Sequence, residues 1–126
     1  MIIRLTCEAV IAINESVTGP DHGLDSRDLL ESAVGEPFQT WGGDDFHPTL
    51  VEKAAVLLRG IASNHPFRDG NKRTSWLSCV NFLALNESPL DRAKIDPILA
   101  GHMVLNVVKG EISYQDVAVW LAEHLQ

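Results

Sequence analysis

The stretch HPFRDGNKRT, residues 65–74, carries the strongest information in this sequence about fold and function. It combines a proline and a glycine with one imidazole, one carboxylate, one side-chain amide and three cationic side chains. A hydrophobic core has no use for this mixture, because charged groups are rarely buried unless they are paired. The stretch therefore predicts either a loop that binds a phosphate or a polar turn between two helices.

The same stretch is expected to join two helices. Pro66 disfavours helical backbone in the residue before it, so one helix should end at residues 64–65, and the next should begin around Gly70 or Asn71. The first N–H groups of a helix have no intrahelical acceptor, and the helix dipole favours an anion beside them. We therefore predict an anion site at the main-chain N–H groups of Gly70, Asn71 and Lys72.

The side chains around this junction extend the prediction to catalysis. Lys72 and Arg73 add positive charge for a phosphate, whereas Asp69 would repel it unless Mg²⁺ bridges the two. Asn71 is suited to donate to a phosphate oxygen or to position the phosphate, and His65 is suited to accept a proton near neutral pH. A base, a metal ligand and a phosphate clamp together indicate nucleotide-dependent transfer to a hydroxyl group.

Some of these residues also have a purely structural explanation. Asp69 alone could cap the following helix, Phe67 is expected to be a core anchor, and Pro66 to fix the turn. Arg68 is as well explained by a solvated charge as by a contact. Helix capping does not explain why His65 and the cationic residues occur together, so the functional interpretation of the whole stretch is favoured.

Helical periodicity dominates the rest of the chain. About six helices are expected, with approximate ranges 6–17, 26–35, 49–65, 70–85, 96–110 and 113–125. Hydroxyl side chains stand at four of the starts, where they can accept from free N–H groups: Thr6, Ser26, Thr49 and Ser113. The third helix should be central, with Lys53 off its apolar line, and the fifth is apolar on almost every side, which predicts burial. Gly35 and Gly110 are expected to end their helices.

One segment, EPFQTWGGDDFH at residues 36–47, departs from the helical pattern. Gly42 and Gly43 separate two short segments that bear aromatic residues, which favours a two-residue β-hairpin over an irregular loop. The predicted fold is therefore all-α, a compact bundle of about six helices with a small hairpin flap, formed by residues 1–126 as a single domain.

Composition limits the classes of function. A chain of 126 residues with 45% hydrophobic residues is expected to form one globular domain, and no apolar run approaches the length of a membrane span. The start of the chain lacks the layout of a signal peptide, so we expect a cytoplasmic protein. A net charge of −7 argues against direct nucleic-acid binding. Cys7 and Cys79 are expected to be small buried residues rather than ligands or disulfide partners.

The motif resembles the signature of the Fic/Doc family, which is HxFx(D/E)GNGRxxR in Fic adenylyltransferases and ends in NKR in the Doc branch. The residues that match are His65, Phe67, Asp69, Gly70, Asn71 and Arg73, and Lys72-Arg73-Thr74 matches the Doc form. The segments GLDSRDLLESAV, TWGGDDFHPTLVEKAAVLL and VVKGEIS also resemble death-on-curing proteins. The resemblance implies the Fic/Doc-type helical bundle.

Two departures from the Fic form bear on the reaction. Lys72 stands where adenylyltransferases have glycine, and Trp76 stands where they have a second arginine. In the Doc branch these differences accompany transfer of the γ-phosphoryl group. The resemblance thus implies a toxin of a type II toxin–antitoxin system, an ATP-dependent kinase that phosphorylates a threonine of translation elongation factor Tu and arrests translation. An adenylyltransferase and a catalytically silent interaction protein are the alternatives.

The resemblance also assigns roles to individual residues. His65 would be the general base and Asp69 the Mg²⁺ ligand. Gly70, Asn71 and Lys72 would form the anion hole, with Lys72 and Arg73 holding the phosphates of ATP. The 36–47 hairpin would dock the target segment as an added strand.

The remaining implications concern regulation. Family members can carry an inhibitory helix with the motif (S/T)xxxE(G/N). Ser32 and Glu36 have its spacing, but Pro37 follows, and we interpret the pair as coincidence. A separate Phd-like antitoxin, whose C-terminal segment folds as a helix in a groove on the toxin, is expected instead. A metal hydrolase that uses His65 with His47 or His22 lacks the close histidine pairing of a zinc helix and is disfavoured.

Overall fold

In a computed structural model of the protein, residues 1–20 and 23–126 are described. This part of the chain contains six α-helices, α1 (Cys7–Thr18), α2 (Arg27–Gly35), α3 (Leu50–Asn64), α4 (Asn71–Leu85), α5 (Pro97–Val108) and α6 (Tyr114–Glu123). Short 3₁₀ turns occupy Glu36–Phe38 and Arg92–Lys94. Two strands, β1 (Thr40–Trp41) and β2 (Asp44–Asp45), form the only sheet found within these residues. The predicted mostly helical fold with a small hairpin is confirmed.

Helix α3 is the central helix, as predicted. It packs against α2, α4 and α6, and the side chains of Ala54, Leu57 and Ile61 are buried along the predicted apolar line. Gly60 allows α2 to approach closely, because a Cβ added there would lie 3.1 Å from the Cα of Ala33. A helix surrounded in this way fixes the position of its C-terminus, which is where the signature stretch begins.

The predicted hydroxyl caps start their helices. Each side-chain oxygen accepts a hydrogen bond from a main-chain N–H three residues further on, at 3.1–3.2 Å. The four caps are Thr6, Ser26, Thr49 and Ser113. Because the caps satisfy N–H groups that would otherwise be unpaired, they explain why the helices begin at these positions.

The hairpin prediction is also confirmed. Thr40 pairs with Asp45 and Trp41 with Asp44, in an antiparallel register. Gly42 has φ 59° and Gly43 has φ 89°, the two left-handed residues that a two-residue turn of the primed type needs. Both strands are exposed to solvent.

The expectation that the fifth helix is buried on almost every side is wrong. Helix α5 is not buried all round, since Ile98 and Leu99 are 67% and 61% exposed; it lies at the edge of the bundle and buries only the face that meets α3 and α4. Lys53 is buried although it lies off the apolar line of α3. Helix α2 ends at Gly35, as expected, and the chain continues directly into the 3₁₀ turn that starts at Glu36.

The two cysteines differ in burial. Cys79 is fully buried, and this burial raises the pKa of its thiol to about 12. Cys7 is only half-buried, and neither thiol forms a disulfide.

No helix within residues 1–20 and 23–126 has both the length and the apolar composition of a membrane span.

Candidate functional site

The signature stretch lies at the junction between α3 and α4, as predicted. Helix α3 ends at Asn64, and His65 then adopts a left-handed backbone with φ 55° and ψ 53°. Its N–H still donates to the main-chain oxygen of Ile61, at 3.3 Å. A left-handed backbone is uncommon for a residue with a side chain and often marks a functional position. The result is a sharp change of chain direction at the predicted base.

The loop after His65 is held against the segment that precedes α2. The N–H of Arg68 donates to the oxygen of Gly23 at 2.8 Å, and the N–H groups of Asp25 and Ser26 donate to the oxygen of Pro66 at 2.9 and 3.1 Å. Phe67 is fully buried, which confirms its role as a core anchor. These contacts fix the loop from both sides, so that its polar groups are held in place before any ligand binds.

Asn71 stabilises the loop through its side chain. Its Oδ1 accepts from the N–H of Phe67 at 2.9 Å, and its Nδ2 donates to the oxygen of Phe67 at 2.7 Å. The residue is only 3% exposed. This corrects the expectation that the Asn71 amide contacts a phosphate or positions it directly, because the amide is bound to the loop backbone and only the main-chain N–H remains for an anion.

Asn14 is a residue of the site that sequence reasoning missed. From the buried face of α1, its Nδ2 donates to the main-chain oxygen of Asp69 and to Oγ1 of Thr74, both at 3.0 Å. Its side chain is fully buried. The available signal was an amide four residues after Val10, on the apolar side of an amphipathic helix, where a buried polar group must have partners.

Gly70, the N-cap of α4, is required by two separate constraints. Its φ is 73°, in the left-handed region that favours glycine. A Cβ at this position would lie 2.8 Å from Cγ2 of Thr18 and 3.2 Å from Cγ1 of Val17. The close approach of α1 therefore leaves no room for a side chain at the start of α4.

The start of α4 offers free hydrogen-bond donors. Among the described residues, the main-chain N–H groups of Asn71, Lys72 and Arg73 have no acceptor. The N–H of Gly70 donates to Oδ1 of Asp69 at 2.8 Å, so the predicted anion hole loses Gly70 as a donor and gains Arg73. Asp69 does not cap α4, because the N-cap is Gly70 and no side chain caps this helix.

All six predicted site residues line one cavity of about 410 Å³, together with Arg68; they are His65, Asp69, Gly70, Asn71, Lys72 and Arg73. His65 is exposed, and its ring nitrogens have no partner in the described part of the chain. The same holds for the charged groups of Lys72 and Arg73. The imidazole of His65 and the charged groups of Lys72 and Arg73 thus face the same cavity, and none of them is paired within the described residues.

The electrostatics of the cavity favour an anion. Arg68 also lines the cavity, and its only ion pair among the described residues, with Asp25 at 3.9 Å, is exposed and weak. Lys72, Arg73 and the N-terminus of α4 place positive charge around the single carboxylate of Asp69. This donor set can bind a phosphate at the helix start and present its reacting atom to His65.

The next question is which side chains of the described residues could hold a metal ion. No group of three or more histidine, cysteine, aspartate or glutamate residues within residues 1–20 and 23–126 is close enough to hold one. Asp69 fits Mg²⁺, which typically takes one or two carboxylates together with phosphate oxygens and water. Its Oδ1 accepts from Gly70, and its side chain lies in the cavity.

Glu36, from the possible inhibitory motif, and His47, from the metal-hydrolase alternative, do not line this cavity. Glu36 forms an ion pair with Arg59 at 2.8 Å, which gives its carboxylate a structural partner. The ring of His47 is buried and packs edge-on against Tyr114, with centroids 5.0 Å apart. His22, the other histidine of the disfavoured metal site, lies outside the described residues.

Comparison with known proteins identifies the family of this chain. The model of the Fic/DOC family matches residues 4–83, a range that includes α1, the hairpin and the whole signature stretch. The chain belongs to the Fic/DOC family. Toxin Doc of Mycolicibacterium smegmatis (strain ATCC 700084 / mc(2)155) is 34% identical over 115 residues, which cover 91% of this chain and 88% of that protein.

Proposed function

We propose that this chain is the toxin of a toxin–antitoxin pair and acts as an ATP-dependent protein kinase. It transfers the γ-phosphoryl group of ATP to a threonine hydroxyl of translation elongation factor Tu and thereby arrests translation. Its similarity over most of its length to a protein named Toxin Doc supports the toxin assignment. The reaction and its target are inferred from the chemistry of the site and from the Doc form of the signature.

One observation carries the proposal of phosphoryl transfer. The exposed imidazole of His65 lines the same cavity as Lys72 and Arg73, and the N–H groups at the start of α4 have no acceptor among the described residues. A transferring phosphoryl group needs little covalent chemistry from a protein, and it is stabilised mainly by positioning and by positive charge. This arrangement supports the proposal that His65 is the base and that the positive charge beside it stabilises the phosphoryl group.

In the proposed reaction, the imidazole of His65 accepts the proton of the threonine hydroxyl as the oxygen attacks the γ-phosphorus of ATP. The new oxygen–phosphorus bond forms as the bond to the β-phosphate breaks, and ADP leaves. Lys72, Arg73 and the free N–H groups of α4 neutralise the charge on the phosphate oxygens. The fixed loop keeps these donors in place, so that little reorganisation is needed during the reaction.

Asp69 would hold Mg²⁺ through its carboxylate together with phosphate oxygens of ATP. When bound, the ion would offset the repulsion between Asp69 and the phosphates and add positive charge to the cavity. The side chain of Asp69 is fixed for this role by its hydrogen bond from the N–H of Gly70.

The hairpin β1–β2 is the proposed docking site for the target. Its two strands are short and exposed, and an exposed strand edge can pair with an extended peptide through main-chain hydrogen bonds. Trp41 and Phe46 are 77% and 55% exposed on this segment. Apolar side chains with this exposure offer contact area for a bound segment.

Control of the activity is assigned to a separate Phd-like antitoxin. Glu36, which has the spacing of an inhibitory glutamate, is held by Arg59 instead. With Glu36 paired in this way, we propose that a partner controls the activity and that the C-terminal segment of the antitoxin folds as a helix in a groove on this chain.

The proposal is tested by incubating elongation factor Tu with ATP, Mg²⁺ and the purified protein, followed by peptide mapping in a mass spectrometer. A phosphothreonine is expected with the unchanged protein and with His102→Ala, a control at an exposed histidine of α5. His65→Ala should give none. An unmodified target in every reaction contradicts the proposed activity.

Expression of the protein in cells provides a second test. If expression arrests growth and His65→Ala arrests it equally, catalysis is not the cause of the arrest.

A further inference from the structure

One face of helix α5 combines exposure to solvent with an apolar composition. The 12 residues of this helix, Pro97–Val108, include no aspartate, glutamate, lysine or arginine. Two of its apolar side chains, Ile98 and Leu99, are nevertheless 67% and 61% exposed. The solvent side of a surface helix normally carries charged and polar residues. The exposed face of α5 therefore has the composition of an interface rather than that of a free surface.

The exposed residues form a continuous line along α5. Ile98, Gly101, His102 and Leu105 have the spacing of a single helix face, and only Leu105 among them is partly covered. Packing within the described residues does not explain Gly101, because a Cβ added there would meet no atom within 4 Å. Glycine is also unfavourable inside a helix. A glycine in the middle of an exposed face lets a second helix approach closely, since the side chains at the contact set the distance between two helix axes.

Charged residues at the two ends of α5 indicate what the second helix is. Lys94 and Asp96 precede the helix, Lys109 and Glu111 follow it, and all four are exposed. When two copies of α5 lie antiparallel, Lys94 is opposite Glu111 of the second copy, and Asp96 is opposite Lys109. Both pairings occur in one register, because each pair of charges at an end has the same spacing. In a parallel arrangement each residue would face its own copy, and every pairing would join like charges.

We propose that α5 is the interface of a homodimer, in which two copies of the helix pack antiparallel about a two-fold axis close to Gly101. In this register Ile98 of one copy lies within a helical turn of Leu105 of the other. Each α5 is about 18 Å long. A single pair of such helices buries less surface than the roughly 1,200–2,000 Å² of a stable interface. The dimer is therefore weak and dissociates on dilution.

The dimer leaves the signature loop accessible. No residue of α5 lines the cavity that contains His65, so the inference does not depend on the proposed function. A protein that forms this dimer but modifies no target overturns the proposed function alone. A protein that modifies its target and is always monomeric overturns the dimer alone.

Sedimentation equilibrium of the purified chain measures the association. The average mass should rise from that of a monomer toward that of a dimer as the protein concentration increases. A monomer at every concentration up to about 1 mM overturns the inference.

Ile98→Asp locates the interface, because it places a charge in the apolar line of α5. It should raise the Kd of the dimer at least about tenfold. The variant should fold, since an acidic residue in the first turn of a helix is favoured by the helix dipole. Val119→Asp, at a 60% exposed position of α6, is the matched control and should associate as the unchanged protein does. If the two variants have the same effect, the interface is not on α5.

An exchange of charges tests the antiparallel arrangement. Lys94→Glu and Glu111→Lys should each raise the Kd by about threefold to tenfold at low salt, because like charges then meet twice in a two-fold dimer. An equimolar mixture of the two variants should recover the association of the unchanged protein, because their heterodimer again pairs opposite charges. A mixture that associates no better than either variant alone overturns the arrangement.

Discussion

The side-chain amide of Asn14, on α1, lies 3.0 Å from the main-chain oxygen of Asp69, the residue just before the start of α4. The two residues are 55 positions apart in the chain, so this hydrogen bond fixes the signature loop from a distant helix. The same amide reaches Oγ1 of Thr74. A residue with no predicted chemistry of its own thus holds the signature loop in position.

Replacement of Asn14 by leucine should therefore affect both stability and binding. Asn14→Leu leaves the part-buried main-chain oxygen of Asp69 and the buried hydroxyl of Thr74 without this donor, at a cost of about 1–3 kcal/mol. We expect a lower free energy of unfolding in urea and weaker ATP binding. Asn81→Leu, at an exposed amide of α4, is the control and should change stability by less than about 0.5 kcal/mol. An Asn14→Leu protein that matches the unchanged protein in both measurements contradicts this role.

Gly70 offers a test that separates backbone strain from steric overlap. Gly70→Ala should suffer both, because φ is 73° and the added Cβ would lie 2.8 Å from Cγ2 of Thr18. Gly110→Ala has φ 75° and no neighbour within 4 Å, so it should show the strain alone, about 1 kcal/mol.

Urea unfolding of both variants measures the difference. Gly70→Ala should be the more destabilised, and combining it with Thr18→Ser, which removes Cγ2, should recover part of that difference. Equal losses in Gly70→Ala and Gly110→Ala would show that the contact with α1 does not constrain the loop.

Lys53 connects the hairpin to the central helix. Its buried Nζ donates to the main-chain oxygens of Pro37, at 3.3 Å, and His47, and to Oδ2 of Asp45 at 3.1 Å. Lys53→Met keeps most of the apolar stem but removes all these contacts, so the hairpin should lose its anchor.

We expect Lys53→Met to lower kcat/KM for the protein target by about tenfold to a hundredfold, because a docked segment would be misplaced. Binding of ATP should be unchanged, since Lys53 does not line the cavity that His65, Lys72 and Arg73 share. Lys109→Met, at an exposed lysine, is the control. Loss of ATP binding in parallel with target modification would mean that Lys53 supports the whole fold rather than the hairpin.

His47 should make stability depend on pH. Burial lowers the pKa of its imidazole below the ordinary value, with smaller opposing influences from Glu36 and Glu52 and reinforcing ones from Arg59 and Lys53. The unfolded chain therefore takes up the proton first as the pH falls through about 6.5, and the folded protein loses stability from there down to the lowered pKa.

The measurement is urea unfolding at a series of pH values between about 7.5 and 5, the range in which histidine titrates. His47→Phe keeps an aromatic ring beside Tyr114 and should show a smaller loss of stability toward acid than the unchanged protein. His102→Ala, at an exposed histidine, should leave the loss as it was. If the free energy of unfolding of His47→Phe falls toward acid pH as steeply as that of the unchanged protein, His47 is not the group responsible.

The features that local chemistry determines could be predicted from the sequence. Hydroxyl caps such as Thr49, the break before Pro66 and the turn at residues 42–43 depend on neighbours within a few positions, and the structure confirms each of them. The grouping of His65 with Lys72 followed in the same way, because both flank a single helix junction.

The features that depend on distant partners could not be predicted. Lys53 stands off the apolar line of α3, and only the folded hairpin surrounds its ammonium with acceptors. The amide of Asn71 binds the loop rather than a phosphate because Phe67 turns both its backbone groups toward it. Helix α5 is apolar in composition, yet its position at the edge of the bundle leaves Ile98 and Leu99 in solvent.

The central claim is that the terminal phosphoryl group of ATP is transferred, and isotopic labelling tests it most directly. Elongation factor Tu is incubated with the purified protein and ATP labelled at either the γ- or the α-phosphorus, and the label retained on the target is counted. Retention from γ-labelled ATP alone, abolished by His65→Ala, is the predicted result. Retention from α-labelled ATP alone would contradict the account and identify an adenylyltransferase.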